Sequence, residues 1–136
     1  MSYELQAHTA DVAVEATGDT LGDAFAAAAD GMAAAQCDDI PDAGERFSLS
    51  TTAEHVEAAL LEYLDELLLG RDLRNQLPVD NQATVAERDG EWTVDATARG
   101  VPLARVSARE IKAVTYSEMA VEEADGGWRV YVVFDV

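Results

Sequence analysis

Alternating hydrophobic and polar positions predict strands at 11–17 and 46–52, and β-hairpins at 77–100 and 119–136. The first hairpin turns at Asp89-Gly90, a dipeptide that favours tight hairpin turns. The last strand alternates most regularly. Trp128, Val130, Val132 and Phe134 share one face, and Arg129, Tyr131, Val133 and Asp135 share the other.

Hydrophobic residues at helical spacing predict two amphipathic helices, at 18–37 and 53–72. In the first, Thr20 and Asp23 resemble a capping box with Asp in place of Glu. The segment 101–118 has no regular period. Two helices and about six strands in mixed order predict an α+β fold, a two-layer sandwich with a mixed or antiparallel sheet.

Length and composition limit the protein class. The 136 residues correspond to a single domain, 1–136, with 49% hydrophobic residues. No hydrophobic run reaches the length of a membrane span. The first residues lack the basic and apolar regions of a signal peptide. Cys37 is the only cysteine, so no internal disulfide can form. We therefore expect a cytoplasmic protein without a membrane association.

The charge is strongly acidic. Asp and Glu number 27 against nine Lys and Arg, which gives a formal net charge of −18. The acids are dispersed, and all the basic residues but one are arginine. This composition is typical of halophilic proteins, and we expect a haloarchaeal one, because molar salt shortens the Debye length to about 3 Å and screens self-repulsion. It also argues against tight binding of nucleic acid, which needs clustered basic residues.

The usual catalytic motifs are absent: the chain has no G-x-S-x-G elbow, H-E-x-x-H, P-loop or G-x-G-x-x-G. Two histidines and one cysteine could form a Cys-His dyad, but their placement does not favour one. Cys37 is better interpreted as a small buried residue. His55 falls on the polar side of the second helix, which favours a solvated surface position.

Carboxylates near both ends of the chain could converge. Asp11 begins the first predicted strand, three residues after His8, and capping of a turn is the simpler interpretation of its spacing. Asp135 lies on the less apolar face of the last strand, one residue before Val136 and its terminal carboxylate. If these two strands are neighbours, three carboxylates meet and repel unless a cation lies between them. Such oxygen ligands suit Ca²⁺, Mg²⁺ or Mn²⁺.

The segment 108–118 contains Lys112, the only lysine of the chain. A lysine kept only for solubility would be replaceable by any polar residue. Its retention indicates either a surface that faces a partner or a buried lysine paired with a carboxylate.

Four motifs follow one another along the chain: "HTADVAVEATGDTLGDAFAAAADGM", "EAALLEYLDELL", "REIKAVTY" and "GWRVYVVFDV". Taken together, they resemble the archease family over essentially the whole chain. The resemblance implies an α+β module with a strand-helix-strand-strand core and an insertion. It also implies an accessory protein, not an enzyme, for the GTP-dependent RNA ligase that joins 3′-phosphate or 2′,3′-cyclic-phosphate ends to 5′-hydroxyl ends in tRNA splicing. Such a protein promotes ligase guanylylation and multiple turnover.

The resemblance also implies functional residues. The family's metal site carries over to Asp11, Asp135 and Val136. We expect a divalent ion there, Ca²⁺ first, with Mg²⁺ and Mn²⁺ as alternatives. His8, Lys112, Thr115 and Tyr116 are the expected partner-facing residues. One departure is Ser117, where the family commonly has His.

We expect the protein to be a monomer. Two other functions stay open. One is a chaperone-like modulator of a tRNA methyltransferase or another tRNA-processing enzyme. The other is an unrelated small metal-binding enzyme. Substrate turnover distinguishes the two, because only an enzyme converts a substrate without a partner protein.

Overall fold

The structure, a computed structural model, describes residues 2–7 and 11–136. These ranges contain two helices, seven strands and one turn of 3₁₀-helix. Their order is β1 (Ser2–Ala7), β2 (Asp11–Gly18), α1 (Leu21–Gln36), β3 (Glu45–Ala53), α2 (Val56–Arg74), β4 (Gln76–Arg88), β5 (Glu91–Pro102), the 3₁₀ turn (Leu103–Arg105), β6 (Ala113–Ala124) and β7 (Gly127–Asp135).

The described strands form two antiparallel sheets. The first has the order β1-β2-β7-β6 and the second β3-β5-β4. Helix α1 contacts β1, β2 and β7 of the first sheet and β4 of the second, while α2 contacts β6 of the first and β3, β4 and β5 of the second. The predicted α+β fold with two main helices is confirmed.

Helix α1 is buried on almost every side because it packs against both sheets. Its many alanines allow this close packing. Gly22 lies so near β4 that a Cβ there would collide with the Ala83 carbonyl oxygen. The predicted cap is present, since the Thr20 hydroxyl accepts a hydrogen bond from the Asp23 amide at 3.0 Å.

Helix α2 buries one stripe and exposes the other. Tyr63 and Leu67 belong to the main core, and Tyr63 stacks on Phe25 of α1 with ring centroids 6.2 Å apart. The helix ends at Asn75, which adopts the left-handed conformation common at C-termini. Neither described helix combines the length and the low polarity that a membrane-crossing helix needs.

Two parts of the fold differ from the sequence prediction. β1 was not predicted, and the segment 101–118, interpreted as irregular, contains the first residues of β6. The register of β6 against β7 shifts between Thr115 and Ala120, and Glu118 within this bulge has a φ of 61°. A bulge interrupts the alternation by which strands are detected.

A second bulge places Asn81 against α1. The register of β4 against β5 shifts between Val79 and Gln82. The backbone and side-chain amides of Asn81 both donate to Asp30 Oδ1, each at 2.9 Å. Burial raises the pKa of Asp30 above its ordinary value, although these hydrogen bonds oppose the rise.

The raised pKa of Asp30 predicts a pH-dependent stability. The folded protein holds this proton more tightly than the unfolded chain, so ionisation of Asp30 destabilises the fold above its raised pKa. Asp30→Asn keeps an oxygen for the Asn81 amides and removes the buried charge. We expect it to melt a few degrees higher than wild type at neutral pH. The difference should vanish below the ordinary carboxyl pKa of about 3.9.

Thermal melts across this pH range test the prediction. The control is Asp42→Asn, which removes the same charge from an exposed loop position. A gain for Asp30→Asn that equals the gain for Asp42→Asn, or that is independent of pH, would show that overall charge and not burial is responsible.

Candidate functional site

Asp11 and Asp135 are directly opposite one another on β2 and β7. Opposed residues of an antiparallel pair project from the same face of the sheet, with Cβ atoms about 4.5–5.5 Å apart. The adjacency on which the predicted convergence depended is therefore observed. Asp11 is half-buried and Asp135 is exposed, so solvent reaches the pair.

The two carboxylates lack the compensation that other acids of this face receive. At the far end of the same face, Arg129 pairs with Glu15 at 3.0 Å and with Glu122 at 2.8 Å. Neither Asp11 nor Asp135 takes part in a salt bridge within the described part of the chain. Like charges directly opposite each other destabilise a sheet, so this end of the face favours a cation.

The donor set suits a hard cation in part. Two carboxylates supply oxygen ligands of the kind that Ca²⁺ and Mg²⁺ prefer. Residues 2–7 and 11–136 contain no group of three or more His, Cys, Asp or Glu side chains placed to hold a metal ion. Further ligands would have to be the terminal carboxylate of the exposed Val136, a backbone carbonyl or water. His8 lies outside the described residues.

The backbone of Lys112 lies beside the carboxylate pair. Its amide donates a hydrogen bond to the Asp135 carbonyl oxygen at 2.8 Å. The side chain is exposed and makes no salt bridge with any described residue. The alternative of a buried lysine paired with a carboxylate is therefore wrong, and Lys112 is accessible to a partner.

The other predicted partner-facing residues occupy the bulged strand β6. Thr115 is half-buried and donates from its hydroxyl to the Val133 carbonyl oxygen at 3.2 Å, on the face that carries Asp135. Tyr116 is 55% exposed, and Ser117 follows it on the surface. Tyr116 is thus available for contact, whereas the Thr115 hydroxyl is already engaged.

Sequence reasoning missed an acidic groove next to Lys112. It lies between α2 and residues 111–112, and its lining includes Glu62, Asp65, Glu66 and Asp72. Burial raises the pKa of the Asp65 carboxyl above its ordinary value, and the nearby Glu62 carboxylate raises it further. The signal available in the sequence was the acidic run on the exposed side of a helix, which more often marks a solvated face.

Neither Cys37 nor His55 belongs to this site. Cys37 is 3% exposed, and its thiol donates to the Asp39 carbonyl oxygen at 3.3 Å. His55 is exposed at the N-cap of α2. Both predictions, a small buried cysteine and a surface histidine, are confirmed.

Comparison with known proteins identifies similar chains. The model of the archease protein family matches residues 3–136. The archease of Methanosarcina mazei is 32% identical over 139 residues, covering 98% of this chain and 95% of that protein. The archease of Pyrococcus furiosus is 29% identical over 143 residues and covers 98% of both chains.

Solved structures show the same fold. Protein 1598 of Methanobacterium thermoautotrophicum superposes with a TM-score of 0.85 at 28% identity, over 99% of both chains. An archease from Thermotoga maritima, described as a possible chaperone, has a TM-score of 0.63 at 21% identity and covers 98% of this chain and 96% of its own. The second likeness concerns the fold alone.

Proposed function

Because this chain belongs to the archease family, we propose that it activates the GTP-dependent RNA ligase that joins 3′-phosphate or 2′,3′-cyclic-phosphate ends to 5′-hydroxyl ends in tRNA splicing. In this proposal the protein works in the cytoplasm as a monomer that contacts the ligase, promotes its guanylylation and allows it to turn over repeatedly. It does not itself join RNA.

One observation carries the proposal: an uncompensated carboxylate pair lies at an accessible end of the first sheet, next to the exposed Lys112. The carboxylate pair offers oxygen ligands to a cation, and the exposed Lys112 side chain offers a positive charge near the same end of β7. Asp11, Asp135 and the terminal carboxylate of Val136 would hold a divalent ion, with Ca²⁺ the best match to these hard oxygen ligands. When bound, the ion would supply a positive centre that attracts phosphate or carboxylate oxygens of the partner.

The residues of the chain have separate roles in this proposal. The opposed carboxylates hold the charge, and the sheet fixes their separation. The Lys112 amide donates a hydrogen bond to the Asp135 carbonyl oxygen and so fixes the end of β7. This bond in turn orients the side-chain carboxylate of Asp135. The Lys112 ammonium and the Tyr116 ring reach toward the partner.

The net charge supports a protein partner over free RNA. With −18 charges and few basic residues, the surface repels phosphate unless a metal ion or Lys112 intervenes. A protein partner can present the complementary basic surface that this chain lacks.

Single-turnover guanylylation of the cognate ligase tests the proposal. We expect the rate of guanylylation to rise when this protein is added, and substoichiometric amounts to support multiple rounds of RNA joining. The protein alone should neither bind GTP tightly nor hydrolyse it. An unchanged ligase, or GTP hydrolysis by the isolated chain, would contradict the proposal. A change confined to the aggregation or site choice of a tRNA methyltransferase would favour the chaperone-like function instead.

A further inference from the structure

The acidic groove next to Lys112 has a volume of about 420 Å³. One wall is the exposed side of α2 and the other is the segment that leads into β6. Its lining consists of Glu62, Asp65, Glu66, Leu68, Leu69, Asp72, Ile111 and Lys112.

The second wall is anchored to the body of the protein. The Arg109 amide donates to the Gln36 carbonyl oxygen at 2.6 Å, and its guanidinium pairs with Asp38 at 3.1 Å. Arg71 of α2 donates to Gln36 Oε1 at 2.8 Å. These bonds tie the approach to β6 to the ends of both helices, so the groove has two defined walls.

The groove combines an apolar floor with exposed leucines. Ile111 is 5% exposed, whereas Leu69 is 55% exposed. Leu73, one turn further along α2, is 75% exposed and continues the apolar stripe beyond the groove. Side chains four residues apart lie on the same face of a helix, so the two leucines form one apolar strip in solvent.

The rim of the groove is strongly negative. Four carboxylates surround the apolar floor, and Lys112 is the one basic residue of the lining. Arg71, outside the lining, pairs with Asp72 at 3.3 Å, which leaves Glu62, Asp65 and Glu66 without a salt bridge among the described residues. Burial raises the pKa of the Asp65 carboxyl, and the nearby Glu62 carboxylate raises it further, so these two acids lie unfavourably close to each other. A cation brought into the groove would relieve this repulsion.

We propose that this groove docks a cationic amphipathic segment of a partner protein, with apolar side chains on Leu68, Leu69 and Ile111 and basic side chains on the acidic rim. Charge complementarity selects this occupant. Nucleic acid and anionic lipid surfaces share the negative charge of the rim. A second copy of this chain does so too and has only nine basic residues to offer.

The groove and the end of β7 meet at Lys112. Lys112 lines the groove with its side chain and bonds to Asp135 with its backbone amide. A segment seated in the groove would hold the partner at the end of the first sheet where β7 terminates. The inference thus extends the proposed function, and it rests on that function only in assuming that the partner is a protein.

The probe for this groove is a labelled helical peptide built on the repeat Lys-Leu-Leu-Lys. Its binding is measured by fluorescence anisotropy and by amide chemical-shift mapping. We expect saturable binding with shifts confined to α2 and residues 109–113. Binding should weaken at least about tenfold in Glu62→Gln/Glu66→Gln, because charge-assisted hydrogen bonds are lost. It should also weaken in Leu69→Ser.

Matched variants separate the groove from the general acidity of the protein. Glu87→Gln/Glu91→Gln removes the same charge from the β4–β5 hairpin, and Leu5→Ser removes an exposed leucine from β1. Both should bind the peptide as wild type does. A peptide in which serine replaces every leucine should bind far more weakly than the leucine peptide, to the wild type and to every variant.

Equal losses in the groove and control variants, equal binding of the serine peptide, or shifts spread over the whole surface would overturn the proposal. These measurements contain no ligase. A negative peptide result therefore removes the docking surface without affecting the guanylylation result, and a negative guanylylation result leaves confirmed peptide binding in place.

Discussion

Asp11→Asn is expected to abolish activation of the ligase while the fold stays intact. The substitution keeps an oxygen at the same position and removes one of the two charges that would hold the divalent ion. Changes to groups that merely support a metal ligand lower affinity about 10–100-fold, so loss of a charged ligand should reduce activation by more than about 100-fold. Guanylylation rates, measured over a range of Ca²⁺ and Mg²⁺ concentrations, give the result.

Stability separates this effect from unfolding. Asp11 and Asp135 repel each other across the strands, and like charges directly opposite destabilise a sheet. In EDTA, Asp11→Asn should therefore melt at the wild-type temperature or slightly above it. Divalent ions should raise the melting temperature of the wild type and not that of the variant.

Glu15→Gln is the matched control, because Glu15 lies on the same strand and face but is neutralised by Arg129. It should leave activation unchanged and cost some stability through the lost ion pair. If Asp11→Asn activates as wild type does, or if Glu15→Gln is equally inactive, the carboxylate pair is not the functional element.

Most of the fold could be predicted from the spacing of hydrophobic residues. Helix α2 and strand β7 carry the clearest patterns, and both form as expected because each buries one face against the common core. Helix α1 was also predicted, although its contact with both sheets was not. Its alanines permit that contact, but only the assembled sheets show which surfaces they meet.

Strand β1 escaped prediction because it is an edge strand. It pairs only with β2, and its larger apolar residues, Tyr3 and Leu5, are 43% and 42% exposed. Residues 2–5, the part of β1 whose burial the structure describes, are all exposed, so no buried positions impose a hydrophobic period there. The start of β6 was not predicted for a different reason. The bulge after Thr115 shifts the register of β6 against β7 partway along the strand.

The residues of the candidate site could be predicted from the sequence, but their arrangement in space could not. The alternation of β2 and β7 placed Asp11 and Asp135 on the less apolar faces of their strands. Pairing between strands at opposite ends of the chain depends on the whole topology, which local pattern does not contain. The acidic groove could not be predicted at all, because it exists only where residues 111–112 return to the exposed side of α2.

Modification of the C-terminus is expected to impair both metal binding and activation, whereas an N-terminal tag should affect neither. Val136 follows Asp135 directly, and in the proposed site its terminal carboxylate joins the opposed aspartates as a ligand. A protein made by semisynthesis with a Val136 carboxamide keeps every side chain and removes one negative charge from the proposed ligand set. We expect weaker divalent binding by calorimetry and a loss of activation approaching that of Asp11→Asn.

The topology explains the contrast with the other terminus. Ser2 pairs with Thr17, at the end of β2 opposite to Asp11. Six residues at about 3.3 Å each separate the two ends by about 20 Å, so an N-terminal tag leaves the carboxylate pair accessible. A Gly-Ser extension after Val136 adds bulk and moves the carboxylate away, which distinguishes crowding from loss of charge when compared with the carboxamide. If the carboxamide protein binds Ca²⁺ and activates the ligase as well as the unmodified protein, the terminal carboxylate is not a ligand, and the site consists of the two aspartates completed by backbone oxygen and water.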